Sequence, residues 1–325
     1  MMDASSERRS RYAETNGPNS PLLGVVVTFY NDPGEFETCI RSLATQAEPD
    51  MPIVVVDDCY PCDTCAKDIC EKAGLQNARI IRHEHNKGVA AARNTGVKAL
   101  LSEYVLIVDG DDFLAKDALR TLRILLQENP DIDLLCSDYL VFHPENIERA
   151  QVRKARPPKP GELLYRQPFL GSGIVIRRSL MIRAGLYDEA PELKAGMEDR
   201  EFLIRLMSLG PRVFHTEKVL YGRRLPVNSR SVQCNWEQHS IREYIVRKNL
   251  RMFQDRGARG NFLSIGYMNS AESYWRAGMV LNAVRCLFSA VRHDWRVVVR
   301  RVSVMARAGL VAWQRLGECG RRPNR

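Results

Sequence analysis

Over the first two hundred positions, short apolar runs rich in β-branched residues alternate with longer helical patterns. The run LLGVVVTFY (22–30) predicts a buried strand, and PGEFETCIRSLATQ predicts the helix after it, with Pro33 in its first turn. PIVVVDD (52–58) reads as a second strand, and CDTCAKDICEKAG (62–74) as a helix ended by Gly74. ARIIRHE gives a third strand, GVAAARNTGVKALLSE a helix, and YVLIVDG (104–110) a fourth strand. Residues 171–209 read as strand, helix, loop and helix, the last with Phe202, Leu203, Leu206 and Leu209 on its buried stripe. Such alternation specifies an α/β fold, a mostly parallel central sheet flanked by helices, with ligand chemistry at the carboxyl ends of the strands. From Asn235 the pattern turns helical, and SYWRAGMVLNAVRCLFSAVRHDW resembles a single tetratricopeptide-like helical pair. The expected organisation is a disordered arm over 1–21, an α/β domain over 22–232 and a C-terminal helical extension over 233–325.

Three of the predicted strands end in polar residues: Thr28 to Asn31, Asp57-Asp58, and Asp109-Gly110-Asp111-Asp112. One carboxylate alone would be read as a helix N-cap; three polar ends converging on one sheet edge point to a ligand site. Asp109 and Asp111 lie two residues apart, so an extended chain turns both to one side. Gly110 between them would let a ligand approach closely. Two hard oxygen donors suit Mg²⁺ or Mn²⁺, with phosphate oxygens and waters in the remaining positions. Neither a GxxxxGK[ST] loop nor a GxGxxG fingerprint occurs, which argues against a P-loop or dinucleotide site and leaves a metal-held diphosphate as the expectation.

Cys59, Cys62, Cys65 and Cys70 follow the second strand with spacing C-x2-C-x2-C-x4-C, near a ferredoxin run but without its last interval or its proline. At 100° per residue, Cys62, Cys65 and Cys70 do not face one point on a helix. That disfavours a metal or cluster site and leaves a local disulfide, a redox-sensitive thiol pair or inert cysteine.

The composition, 45% hydrophobic and 27% charged over 325 residues, is that of a folded soluble protein. No apolar leader opens the chain and no apolar run is long enough to span a bilayer, so a cytoplasmic protein with reduced thiols is expected. The net charge of +9 is concentrated in Arg285–Arg325, which argues against a nucleic-acid-binding core. Arg285, Arg292, Arg296, Arg300 and Arg307 would fall within an arc of about 80° on one continuous helix, with Val298, Val302, Met305 and Trp313 providing apolar surface elsewhere. Such a face is either solvated or laid on an anionic membrane surface, the latter placing the protein peripherally on the inner face of the membrane.

Taken in order, TFYN, VVVDD, NKGVAAARNTG and VDGDD resemble the nucleotide-sugar half of family 2 glycosyltransferases, over roughly residues 22–225. The resemblance implies the GT-A fold, nucleoside contacts from Thr28, Tyr30 and Asp58 with Asp57 adjacent, and metal and diphosphate on Asp109 and Asp111. It places Asn86, Lys87, Gly88 and Arg93 along the border of the donor. Where members of the family commonly read V-D-D-G-S-P-D-D-T, this chain reads V-D-D-C-Y-P-C-D-T, which sets the cysteines in an ordinary loop beside the nucleoside pocket.

By its position alone Asp199, in the first turn of the last α/β helix, is as much a capping partner as a base facing a cleft. The resemblance implies that Glu198-Asp199 is the family's acidic pair, Asp199 deprotonating the acceptor hydroxyl and Glu198 supporting it. LYGRRLPVNSRS (220–231) is similar to the segment that closes over the diphosphate, with Arg223, Arg224, Ser229 and Ser231 in reach of phosphate oxygens. It lacks the histidine that some GT-A enzymes use as a metal ligand. The implied reaction is inverting transfer of a single sugar from a nucleoside-diphosphate sugar, UDP above others, to a glycan hydroxyl, with lipid-linked glycans among the acceptor classes; no Q-x-x-R-W motif points to processive synthesis. The alternatives are a nucleotidyltransferase, whose glycine- and arginine-rich loop TFYNDPGEF does not match, and a non-catalytic binding protein of the same fold. Residues 140–175 read as a proline-rich insert bordering the acceptor site.

Overall fold

The computed structural model describes residues 20–30, 32–61, 66–225 and 235–319, with side chains of the last helix described to residue 301. The expected N-terminal arm lies, except for its last two residues, outside the described residues, as do Cys62, Cys65, Ser229 and Ser231. The chain divides near residue 230 into two compact units.

In the first unit nine strands form one sheet in the order β3-β2-β1-β4-β8-β6-β9-β5, with β7 paired to β6. β1 (Leu23–Phe29), β2 (Ile53–Asp57), β3 (Arg79–Arg82) and β4 (Tyr104–Asp109) are mutually parallel. Every residue of β1 and β2 is buried, as expected for valine-rich strands covered on both faces. β8 (Val175–Arg177) runs antiparallel between β4 and β6 (Leu134–His143). β9 (Val213–Arg224) lies parallel to β6 and pairs antiparallel with the short β5 (Phe113–Leu114).

The helices form where their apolar spacing says. α1 (Pro33–Ala44) buries Phe36, Cys39, Ile40 and Leu43, one stripe at three- and four-residue steps, and Asp32 caps it by accepting from the Gly34 and Glu35 amides. Each large apolar side chain of that stripe contributes about 1.5–3 kcal/mol by leaving water. α2 (Ala66–Lys72) and α3 (Val89–Ala99) follow β2 and β3. α3 buries Ala90, Ala91 and Ala92, small side chains that let its backbone come close to the sheet. α4 (Ala118–Glu128), α5 (Arg178–Arg183) and α6 (Glu198–Met207) complete the unit.

Three sequence expectations change here. Residues 146–153 form β7, an antiparallel hairpin partner of β6, where a proline-rich insert was expected. β7 is exposed along nearly its whole length, so it carries no buried face for an apolar alternation to mark. On α6, Phe202, Leu203 and Leu206 are fully buried, but Leu209 lies past the helix end and is exposed.

The third change is in the second unit, which holds α7 (Gln238–Lys248), α8 (Arg256–Arg276) and α9 (Val280–Cys319). The expected continuous basic helix is broken: Asp294 has extended backbone inside α9. Its carboxylate accepts from the Arg296 amide and restarts the helix as an N-cap, while its carbonyl accepts from Ser264 of α8. Arg285 and Arg292 therefore precede the break and Arg296 and Arg300 follow it, so the single 80° arc does not exist; the side chain of Arg307 is outside the described residues. Among the described residues no helix is long and apolar enough to cross a membrane.

Candidate active site

The parallel strands β1, β2 and β4 end on one edge of the sheet, and strand register sets what meets there. Thr28 pairs with Val56 of β2 and with Asp109 of β4, so the polar end of β1 is level with the start of VDGDD. After Asp109 the chain turns sharply, the Asp112 amide bonding the Asp109 carbonyl at 3.0 Å. A Cβ on Gly110 would stand 2.4 Å from the Thr28 carbonyl oxygen. The glycine is thus required by the neighbouring strand's backbone, which corrects the expectation that it clears a path for a ligand.

Arg93, buried on α3, ties two parts of the site together. One guanidinium nitrogen donates to Asp109 at 2.8 and 3.1 Å, and another donates to Glu198, the first residue of α6, at 2.8 Å. Burial opposes the Arg93 charge, but Asp109 and Glu198 more than offset it, and the guanidinium is held firmly protonated. Glu198 is shifted the other way: burial raises its carboxyl, Arg93 pulls it down, and the neighbouring Asp199 raises it again, leaving it above its ordinary value. The next residue, Asn94, exchanges hydrogen bonds with the Tyr187 backbone at 2.8 and 2.9 Å and donates to Glu189 at 2.7 Å. The Arg-Asn pair of α3 therefore anchors both the strand end and the segment leading into α6.

Asp199 is the second residue of α6 and is half-buried. Its Oδ1 accepts from the Arg200 amide at 2.7 Å, the local role a helix start offers, while Oδ2 accepts from Gln167 at 3.3 Å. A Cβ on Gly171 would fall 2.2 Å from that Oδ2, so Gly171 is the clearance in which the carboxylate stands.

Around the turn after β4 the acids differ in what holds them. Asp112 accepts from the Tyr221 hydroxyl at 2.7 Å and from the Arg224 amide at 2.8 Å. Arg224 also donates from Nε to the Asp111 carbonyl at 2.8 Å, locking the end of β9 onto the turn. Arg223, the adjacent strand residue, points to the opposite face and is exposed, so only one of the two expected arginines joins the turn. The Asp111 carboxylate is held by no side chain among the described residues, and burial with the adjacent Asp109 charge pushes it up to about 6.

That imbalance is the test of whether a divalent cation fits. Among the described residues Asp111 has no cationic partner at hydrogen-bond distance, Asp109 stands beside it, and both offer hard oxygens. Among the described residues no group of three or more His, Cys, Asp or Glu side chains has metal-holding geometry. The donor set fits an ion such as Mg²⁺ or Mn²⁺ that takes one or two carboxylates and fills its shell with phosphate and water.

At the end of β2, Asp57 and Asp58 are both buried and fully engaged. Asp57 accepts from the Tyr60 amide at 2.8 Å and pairs with Arg82. Asp58 accepts from the Lys87 and Gly88 amides at 2.9 and 2.7 Å and lies 2.6 Å from His83 Nδ1, whose other nitrogen meets Thr95 at 2.9 Å. These carboxylates build the 57–60 and 83–88 loops from beneath. Thr28 is buried beside them, Tyr30 sets its ring edge-on to Tyr60 at 6.4 Å, and the side chains of Asn86 and Lys87 are exposed. Cys59 and Cys70 are free thiols, so they do not form a disulfide with each other.

The sequence reading missed Asn94, Gln167, Gly171 and Tyr221, and named Asp112 at the strand end without giving it a role of its own. Asp112 and Asn94 stood inside quoted motifs, as VDGDD and AAARNTG; Gln167, Gly171 and Tyr221 act through partners far away in sequence and left no local signal.

Similarity to known proteins gives the chain a family. A Bacillus subtilis (strain 168) protein, named as the uncharacterized glycosyltransferase EpsJ, is 32% identical over 222 residues, 64% of this chain and 62% of the relative. A Haemophilus influenzae relative, also named as an uncharacterized glycosyltransferase, is 23% identical over 57% of this chain and 62% of its own. The chain thus spans under two thirds of the length of these two relatives. Staphylococcus aureus TarS (residues 1–349) superposes with a TM-score of 0.54 at 19% identity, covering 84% of this chain and 92% of that one. The Pyrobaculum calidifontis mannosyltransferase PcManGT, solved with GDP-Man and Mn²⁺, superposes with a TM-score of 0.56 at 15% identity over 94% of this chain and 86% of its own. At such identities the likeness speaks for the fold, which is GT-A with C-terminal helices. Residues 24–190, over half of the chain, match Glycosyl transferase family 2, and the chain belongs to that family.

Proposed function

We propose that the protein is an inverting glycosyltransferase that moves a single sugar from a nucleoside-diphosphate sugar, a UDP-sugar first, to a hydroxyl of a glycan acceptor. The observation that carries this reading is the pair of 2.8 Å bonds by which Arg93 joins Asp109 to Glu198. Through it the end of the sheet suited to a diphosphate and the helix start that carries Asp199 form one site. The support for a sugar nucleotide is the family, together with UDP-GlcNAc bound by TarS and GDP-Man bound by PcManGT.

In this reading Asp199 Oδ2 takes the proton of the acceptor hydroxyl, whose oxygen forms the new bond to the anomeric carbon. The bond from that carbon to the diphosphate breaks on the opposite face, so the configuration inverts. Glu198, held by Arg93, fixes the first turn of α6 and with it the base. Arg224, bonded to the turn that carries Asp111, supplies positive charge beside the leaving group. A divalent cation on Asp111 and Asp109, Mn²⁺ or Mg²⁺, would neutralise charge on the departing diphosphate. Thr28, Tyr30 and the loops shaped by Asp57 and Asp58 border the nucleoside, and Asn86, Lys87 and Gly88 border the donor.

The test is calorimetric titration with UDP, GDP and dTDP, each with and without Mn²⁺, on the wild type and on Asp111→Ala. Metal-dependent binding of one nucleotide, lost in the variant, is expected. Failure of all three to bind with metal would overturn the reading. Donor turnover by Asp199→Asn should fall about 10²–10⁴-fold with nucleotide binding retained, as for loss of a general base.

A further inference from the structure

The first segment of α9, residues 280–293, packs on α8 through small side chains, Ala283, Cys286 and Ala290, all buried. Its far side is apolar and open. Leu281 and Phe288 are 75% and 72% exposed, and Val280, Val284, Leu287 and Val291 are exposed beside them. At 100° per residue these six span an arc of about 120°, a full apolar face rather than scattered residues. Arg285 and Arg292 fall along one edge of that arc, and the segment contains no acid. Exposed Trp275, at the end of α8, and Trp295, just past the break at Asp294, stand at its two ends. Past the break, exposed Arg296 and Arg300 continue the positive charge.

We propose that this face docks on the surface of an anionic lipid bilayer, lying in the plane of the membrane. An apolar stripe edged by arginine and flanked by tryptophan matches the boundary between acyl chains and anionic headgroups. At 1.5 Å per residue the segment is about 21 Å long, too short to cross the roughly 30 Å hydrocarbon core, so it lies on the membrane instead. A second copy of the chain fits less well. A two-fold contact through this face brings together two identical patches, each bearing Arg285 and Arg292 with no acid on the segment to match them. The inference stands on the second unit alone and does not depend on the glycosyl-transfer reading.

The experiment is sedimentation of the full chain with neutral phosphatidylcholine vesicles and with vesicles containing 30% phosphatidylglycerol, at about 0.1 M salt. Partitioning onto the anionic vesicles is expected to exceed that onto neutral ones at least about tenfold, with a blue shift of tryptophan emission. Leu281→Asn/Phe288→Asn, two exposed positions whose folding is checked by circular dichroism and an unchanged Tm, should weaken anionic partitioning about tenfold. Arg285→Gln/Arg292→Gln should weaken it about tenfold or more as well, through charge instead of insertion. The proposal is overturned if the chain does not partition, or if the Leu281/Phe288 variant binds as the wild type does, which would leave binding to the basic tail. It is equally overturned if light scattering finds a vesicle-free dimer that this variant dissolves while vesicles are ignored.

Discussion

Replacing Arg93 by methionine keeps most of the side chain's bulk and removes its charge. The guanidinium is 5% exposed, and its partners Glu198 and Asp109 are 11% and 25% exposed, so none of the three charges is rescued by bulk water. Removing one partner of a buried ion pair costs about 3–5 kcal/mol, because the charge left behind is unpaired. The loss should depend on pH. Glu198 already has a folded-state pKa above its ordinary value, so the stability it contributes is complete in acid and is lost as pH rises. Arg93 pulls that pKa down; without it the folded carboxyl holds its proton to higher pH while the unfolded one releases it. The gap between variant and wild type should therefore be smallest near pH 4.5 and widen with pH by up to about 1.4 kcal/mol per unit. Urea unfolding of the full chain, followed through the transition of the first unit at pH 5 and pH 7.5, measures it. A cost below about 1 kcal/mol at pH 7.5, or one equal at both pH values, would refute the argument that Arg93 offsets the burial of the Glu198 carboxylate.

Three further outcomes follow from the same geometry. Gly171→Ala puts a methyl where the Asp199 carboxylate stands, at 2.2 Å, so turnover should fall on the order of 100-fold while nucleotide affinity, by calorimetry, stays within about twofold. Because burial and Asp109 hold the Asp111 carboxyl at about 6, the proton competes with a cation below that value: Mn²⁺ should raise Tm at pH 7.5 and scarcely at pH 5, and Asp111→Asn should abolish the rise. Asp58→Ala strands the part-buried amides of Lys87 and Gly88 together with the buried His83 ring, and should cost about 1–3 kcal/mol in urea unfolding.

Most of the parallel half of the fold was legible because β1, β2 and β4 are continuous buried runs separated by helices with caps and end glycines. The antiparallel half was harder. β5 is two residues long and β7 is exposed on both faces, so neither carries a period that a sequence pattern can display; β8, though three residues long, lies in the strand expected at the start of 171–209. In the site, residue types at strand ends pointed to Asp109 and Asp111, but what each acid does depends on partners that spacing does not reveal. Arg93 reaches Glu198 across 105 positions, and Tyr221 reaches Asp112 across 109. Likewise the arginine spacing in α9 suggested one straight helix because Asp294 is unremarkable as a helical residue until its carboxylate is seen capping Arg296.

The two buried acids at the end of β2 also explain why this chain can carry cysteine and tyrosine where its family commonly has glycine and serine. Asp57 grips the Tyr60 amide and Asp58 grips the opposing loop, so the turn is moulded from its underside by groups anchored in the sheet. Cys59 can then be held at φ 64, a left-handed conformation that costs a non-glycine residue about 1–2 kcal/mol, because the bonds on either side leave the chain no other course. Tolerance to substitution is accordingly uneven over a few neighbouring positions. Asp57 and Asp58 are fixed by the loops they hold, whereas Cys59 and Tyr60 after them add a 3.5 Å Sγ contact to the Glu84 carbonyl and ring packing on Phe29, contacts that set no loop's course.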